Sequence, residues 1–281
     1  MAEYANPNAL VDTQWVEGQL NDPNVRIVEV DEDTEAYQKG HVPGAIAWHW
    51  QDDLHDSLRR NFIGRTDLQE LLARSGVSPE TTVVLYGGNN NWFAAYAYWY
   101  LKYWGVENVR LMNGGRKKWE LENRQLVTEV PNVAPANQPV TLPEKPRAEL
   151  RAFRNLVLER VERNDAAFVD VRSPEEFRGE LLAPPHLSQE QAQVPGHIPG
   201  ALNITWSKAA NEDGTFKSVD ELKALYGDVK PKSEVIAYCR IGERSSHTWF
   251  VLKELLGYSQ VRNYDGSWTE YGSLVNVPIE R

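Results

Sequence analysis

The chain has 281 residues, 41% of them hydrophobic, with ten tryptophans and a formal net charge of −10. That length exceeds one typical domain, and the acidity argues against nucleic acid or an anionic membrane surface as a partner. A single cysteine excludes an internal disulfide, and the longest apolar run, residues 92–101, is too short for a bilayer. The N-terminus has no basic-then-apolar signal pattern, so a cytoplasmic protein is expected.

In chain order, residues 25–30 are an apolar, β-prone run and read as the first strand. Residues 66–74 and 92–104 have helical spacing, and 82–86 and 109–112 read as further strands. The aromatic-rich 92–104 segment is expected in a core or at a domain interface rather than in a substrate box. Residues 130–146 hold five prolines, which disfavour helix and central strand, so 130–147 reads as an extended linker. Beyond it, 153–161 is helical by the spacing of Phe153, Leu156, Val157 and Val161, while 168–171, 235–238 and 261–264 are strands. Ser173-Pro-Glu-Glu176 is a capping box with proline at the first helical position. Apolar strands alternating with helices imply an α/β fold, with a mostly parallel sheet and helices on both faces.

The two halves repeat each other. Val28-Glu-Val-Asp31 answers Val169-Asp-Val-Arg172, and Gly40-His-Val-Pro-Gly-Ala-Ile46 answers Gly196-His-Ile-Pro-Gly-Ala-Leu202. Thr82 to Tyr86 answers Glu234 to Tyr238, and Asn113-Gly114 answers Asp265-Gly266. The organisation expected is therefore a domain over 1–129, the linker over 130–147 and a second domain over 148–281. The second copy carries an insertion, residues 181–193, for which the sequence suggests no purpose. Residues 1–140 carry 12 Lys+Arg against 19 Asp+Glu, a net of −7, and the remainder 18 against 21, a net of −3. The less acidic half is the one with the cysteine.

Cys239 ends the β-prone run 235–238 and is followed by Arg240-Ile-Gly-Glu-Arg244, then by Ser245 and Ser246 as candidate N-caps of an apolar periodic stretch. A buried structural cysteine is expected inside a strand; this one stands at a strand's C-terminal end, where open α/β sheets bind ligands. Loop amides, a helix N-terminus and two arginines are expected to hold its thiol below the free value, at less than about 7.5 against about 8.5.

Gly196-His-Ile-Pro-Gly200, Asp170-Val-Arg172, the Cys239-to-Arg244 loop and Asn263-Tyr-Asp-Gly-Ser-Trp268 together resemble the rhodanese family, and within it the tandem-domain thiosulfate sulfurtransferases. The resemblance covers nearly the whole chain and implies two tandem rhodanese-like domains, the first non-catalytic. It implies that Cys239 takes the outer sulfur of thiosulfate as a persulfide, releases sulfite, and passes the sulfur to cyanide or a thiol. It implies a small-molecule donor, an acceptor that can include a thiol-carrying protein, and neither metal nor cofactor. The amides from Arg240 through Ile241, Gly242 and Glu243 to Arg244 would ring the sulfur. Trp206 matches an aromatic that lines the pocket in relatives.

The pattern departs from the family where related enzymes often carry a substrate arginine; here Glu176 stands in that place. Arg178 could substitute only with a backbone shift, and Arg244 is the better candidate, its fork pairing with a sulfonate to favour thiosulfate over mercaptopyruvate. The alternatives are a 3-mercaptopyruvate sulfurtransferase, whose loop typically reads Cys-Gly-[Ser/Thr]-Gly-Val, and a sulfur-relay module. A cysteine phosphatase is disfavoured, because its arginine lies six residues after the cysteine, where this chain has Ser245. In the first copy Gly87 takes the place of Cys239, and its loop lacks both nucleophile and arginine. His41 and His197 are expected to brace their turns rather than act as bases. His49, His55, His186 and His247 have no ligand spacing that supports zinc.

Overall fold

The computed structural model describes residues 3–31, 34–183, 191–230 and 234–281. The chain divides into two compact units. The first comprises Asn8–Arg147 with Ala210–Phe216; the second comprises the described residues of Met1–Pro7, Ala148–Ala209 and Lys217–Arg281. Most of the insertion at 181–193, and with it His186, lies outside the described residues.

The first unit contains β1 (Leu10–Val11), α1 (Thr13–Gly18), β2 (Val25–Asp31), α2 (Thr34–Lys39), β3 (Ile46–His49), α3 (Trp50–Leu54), α4 (Arg65–Arg74), β4 (Thr82–Tyr86), α5 (Trp92–Tyr103), β5 (Val109–Met112) and α6 (Gly115–Leu121). Its sheet is ordered β1-β5-β4-β2-β3, with every pair parallel. The central strands β2 and β4 bury Ile27, Val28, Val30, Val83, Val84 and Leu85, the unbroken apolar runs expected of parallel strands covered on both faces. Helix α5 is buried nearly all round, which marks it as core; Phe62 stacks on Tyr100 with ring centroids 4.5 Å apart. Residues 130–147 form neither helix nor strand and run along this unit. The Ala136 amide donates to the Ala73 carbonyl at 2.9 Å and the Arg147 amide to that of Tyr103 at 2.8 Å.

The second unit contains α7 (Arg154–Arg163), β6 (Ala166–Asp170), α8 (Pro174–Phe177), β7 (Leu202–Asn203), α9 (Val219–Leu225), β8 (Glu234–Tyr238), α10 (Glu243–Phe250), β9 (Val261–Tyr264) and α11 (Ser267–Tyr271). Its parallel sheet is ordered β7-β6-β8-β9. An isolated parallel bridge between Arg151 and Asn263 stands where β1 pairs with β5 in the first unit. The short strands β1 and β7 have no sequence signal of their own, because two residues are too few to establish a period.

The duplication extends to hydrogen bonds. The Val42 amide donates to the Tyr86 hydroxyl, and the Ile198 amide to the Tyr238 hydroxyl, both at 3.1 Å. His41 stacks on Tyr37 with Nδ1 2.9 Å from the Tyr37 carbonyl, and His197 stacks on Phe177 with Nδ1 2.8 Å from the Phe177 carbonyl. Each Gly-His turn also bridges a later strip of chain, His41 to Val127 and His197 to Glu280. These histidines hold turns.

Candidate active site

Strand β8 delivers Cys239 to the C-terminal edge of its sheet. The carbonyl of Cys239 accepts from the Trp268 amide at 3.0 Å, and its amide donates to Ser267 Oγ at 3.0 Å, so both backbone groups are anchored to the start of α11. Ser267 is held in turn by donating to the Tyr264 carbonyl at 2.6 Å. The loop then turns at Gly242, whose φ of +100° lies in the region where L side chains are strained. A Cβ there would stand 2.5 Å from Asp265 Cα. Asp265 is fixed by a two-pronged pair with Arg151, at 2.8 and 2.7 Å.

The Gly242 carbonyl accepts from Asn263 Nδ2 at 2.9 Å and Ser246 Oγ at 2.9 Å. Helix α10 therefore begins at Glu243, two residues before the expected caps. Ser245 and Ser246 lie inside the first turn, their hydroxyls reaching back to Gly242 instead of capping from outside. With the loop clamped on both sides, the Gly242 amide donates to Cys239 Sγ at 3.1 Å. Gly242→Ala is expected to open this turn and slow the reaction of the Cys239 sulfur at least about tenfold at neutral pH, since removing one amide donor to a buried anion costs that much or more. The rate of alkylation by iodoacetamide would read it, and an unchanged rate would mean that the amide at 242 does not matter.

Around Sγ lie four charged side chains. Arg244 donates from both terminal nitrogens to Glu176, at 2.9 and 3.0 Å, and both residues are buried. Glu176 Oε2 also accepts from the Ser173 amide at 3.0 Å, so the capping box and the ion pair share one carboxylate. Glu243 brings Oε2 to 3.5 Å from Sγ, and its Oε1 faces Arg240 Nη2 at 3.9 Å. Two arginines and two carboxylates leave the cluster near neutral when all are ionised.

Three expectations are corrected by this geometry. The Arg244 fork closes on Glu176, so it is not free to hold a sulfonate; the glutamate at the departing position and the arginine at the loop's end are partners. Burial pushes the Cys239 thiol up rather than down, and the Glu243 carboxylate adds to the rise. Arg244 and the Ser245 and Gly242 amides oppose that shift without overcoming it. Arg178 does not join the cluster: its half-exposed guanidinium pairs with Glu180 at 2.8 Å, because it caps α8 on the solvent side. Ile241 is partly buried. Trp206 meets His247 of α10 edge-on, with centroids 5.2 Å apart. What the sequence reading missed is the Glu176–Arg244 pair; the signal was the one departure, an acid where related enzymes often carry an arginine, with the loop arginine as its available partner.

The first unit's matching loop is built differently. Asn89, Asn90 and Asn91 all have positive φ, and Gly88 donates to Asp31 at 2.7 Å. A Cβ at Gly87 would run into the Val30 carbonyl. The backbone there has no room for any side chain, cysteine included.

The description "Rhodanese-like domain" fits residues 12–122 and again residues 154–274. The chain belongs to the rhodanese family. Its two matches make it a tandem member, with both domains the parallel α/β sheets described above. A Saccharopolyspora erythraea protein named "Putative thiosulfate sulfurtransferase" is 58% identical over 273 residues, which is 96% of this chain and 95% of that protein. The Thermus thermophilus protein named "Sulfur carrier protein TtuD" is 54% identical over 284 residues, 99% of this chain and 98% of that one. Among solved structures, YnjE superposes with a TM-score of 0.85 at 26% identity, covering all of this chain and 70% of its own. A form of EanB with a cysteine persulfide and ergothioneine gives 0.85 at 25% identity, covering 100% and 72%. Family and relatives support a sulfurtransferase role for this rhodanese. Among the described residues, no helix is long and apolar enough to cross a membrane.

Proposed function

We propose that this rhodanese moves sulfane sulfur from thiosulfate to a thiophilic acceptor through a persulfide on Cys239. The observation that carries the reading is the Gly242 amide at 3.1 Å from the sulfur of the chain's one cysteine, at a strand-to-helix junction that closes around it. The thiolate attacks the outer sulfur of thiosulfate, the S–S bond of the donor breaks, and sulfite leaves with the electron pair. The terminal persulfide sulfur remains electrophilic and is taken by cyanide or a thiol, which restores the cysteine. The names of the close relatives support thiosulfate as donor.

A second reading, delivery of the sulfur to a protein thiol, is favoured by two observations. One is the near-neutral cluster around Sγ, which offers a dianion little net attraction. The other is the sulfur-carrier name of the Thermus thermophilus relative.

Parallel assays of thiosulfate and mercaptopyruvate, each with cyanide as acceptor, test the donor. Thiosulfate should be the better donor by kcat/KM. Because Glu176 occupies the Arg244 fork, Arg244→Ala should depress both donors alike, by the equivalent of about 2–3 kcal/mol each. A wild-type preference for mercaptopyruvate would reverse the choice of donor. A loss confined to thiosulfate would mean that Arg244 leaves Glu176 to bind it.

A further inference from the structure

Two acid groups face each other at the centre of the site. Cys239 Sγ lies 3.5 Å from Glu243 Oε2, within hydrogen-bond reach for sulfur, and neither residue has more than a trace of exposed surface. No mobile solvent stands between groups so placed. The charges facing them are Arg240, 3.9 Å from the far oxygen of Glu243, and Arg244, already neutralised by Glu176. Across Gly242 the Asp265–Arg151 pair is likewise self-compensated, and His247 lies one turn along α10. Set against Glu176, the two arginines leave one positive charge facing the Cys239–Glu243 pair.

We infer that Glu243 is the proton reservoir of the sulfur-loading step: it takes the Cys239 thiol proton as the persulfide forms and returns it when the sulfur leaves. The inference rests on the persulfide reading above. Thiol, carboxylate and thiosulfate become persulfide anion, carboxylic acid and sulfite. The thiol S–H bond breaks and a carboxyl O–H bond forms; the new S–S bond joins Cys239 to the outer sulfur, whose old bond breaks toward sulfite. One proton and three negative charges stand on each side. The buried pair carries a single negative charge before and after, so no proton crosses the protein to solvent during loading.

This accounts for a feature that is otherwise perverse, a carboxylate beside a nucleophile that must become anionic. Burial raises the Glu243 carboxyl, which makes it a better proton acceptor than an exposed carboxylate, and its oxygen lies within hydrogen-bond reach of the sulfur. A carboxylate that only anchored Arg240 would not need to reach the sulfur.

The test compares wild type, E243Q and E243D by single-turnover loading between about pH 6 and pH 9, with thiosulfate in one arm and inorganic polysulfide in the other. Wild type should load at a rate nearly independent of pH over the neutral range, because the base is internal. E243Q, with no proton acceptor, should load roughly a hundredfold slower at the acid end and approach or overtake wild type at the alkaline end. E243D should keep the flat profile at a reduced rate. Infrared difference spectra of loaded minus sulfur-free wild type should gain a protonated-carboxyl band and lose a carboxylate band, a readout that needs no variant to fold. Parallel pH profiles for wild type and E243Q, or no carboxyl band on loading, would overturn the inference. Loading by polysulfide but not by thiosulfate would overturn the choice of donor and leave the proton test running in the other arm.

Discussion

Glu176→Ala is expected to destabilise the catalytic-type domain by about 3–5 kcal/mol, the usual cost of leaving one member of a buried ion pair without its partner. Both carboxylate oxygens of Glu176 are engaged by Arg244, and the two residues are 1% and 6% exposed. Glu176→Gln keeps the size and one acceptor and should cost less. The pH dependence has a fixed sign. Burial alone would raise the Glu176 carboxyl, but the Arg244 fork and the Ser173 amide override it and hold the group below its ordinary value. A folded value below the unfolded one, about 4.3, means that the contribution is complete above that pH and fades only as pH falls through the lower folded value. Urea midpoints for wild type and variant should therefore differ by a constant amount from about pH 5 to pH 8 and converge in stronger acid. A difference below about 1 kcal/mol at neutral pH would contradict a buried, mutually dependent pair.

Cys239→Ala is expected to abolish sulfur transfer to the background of the uncatalysed reaction, because no second thiol exists in the chain to relay it. The first domain offers no substitute, since Gly87 is pressed against the Val30 carbonyl. Cys239→Ser should be equally inactive. A hydroxyl is a far weaker acid than a thiol, and a serine-bound sulfur would lack the persulfide's exchange chemistry. Both substitutions remove or shrink only a small buried group, so circular dichroism and thermal unfolding should remain close to wild type. Turnover above background by either variant would mean that the sulfur passes through another residue.

How much of this was legible in the sequence depended on the length of the signal. The long strands and helices carry several periods each, so β2, β4, α4, α5, α7 and β8 appear in the sequence within a residue or two of their ends. Tandem repetition was readable because Gly-His-Val-Pro-Gly and Gly-His-Ile-Pro-Gly serve backbone turns that tolerate little change. Strands β1 and β7, two residues each, are made by their neighbours and leave no local pattern. At the site, the position of Cys239 could be read from a strand ending before a glycine loop. The electrostatics could not. Counting Arg240 and Arg244 suggested an electropositive ring, but charge depends on which acids fold inward. Glu176 arrives from 68 residues away, and Glu243 turns its carboxyl toward the sulfur only because α10 starts earlier than Ser245 suggests. Local capping rules read Glu176 correctly as a capping-box residue and could not see its second partner.

The central claim is that Cys239 carries sulfur covalently, and intact mass measurement tests it most directly. Wild-type protein exposed to thiosulfate and freed of excess reagent should gain the mass of one sulfur atom, and cyanide should remove it. Cys239→Ala treated in the same way should keep its starting mass. An adduct of equal size on the alanine variant, or a wild type that turns over thiosulfate without ever gaining the sulfur, would contradict the account.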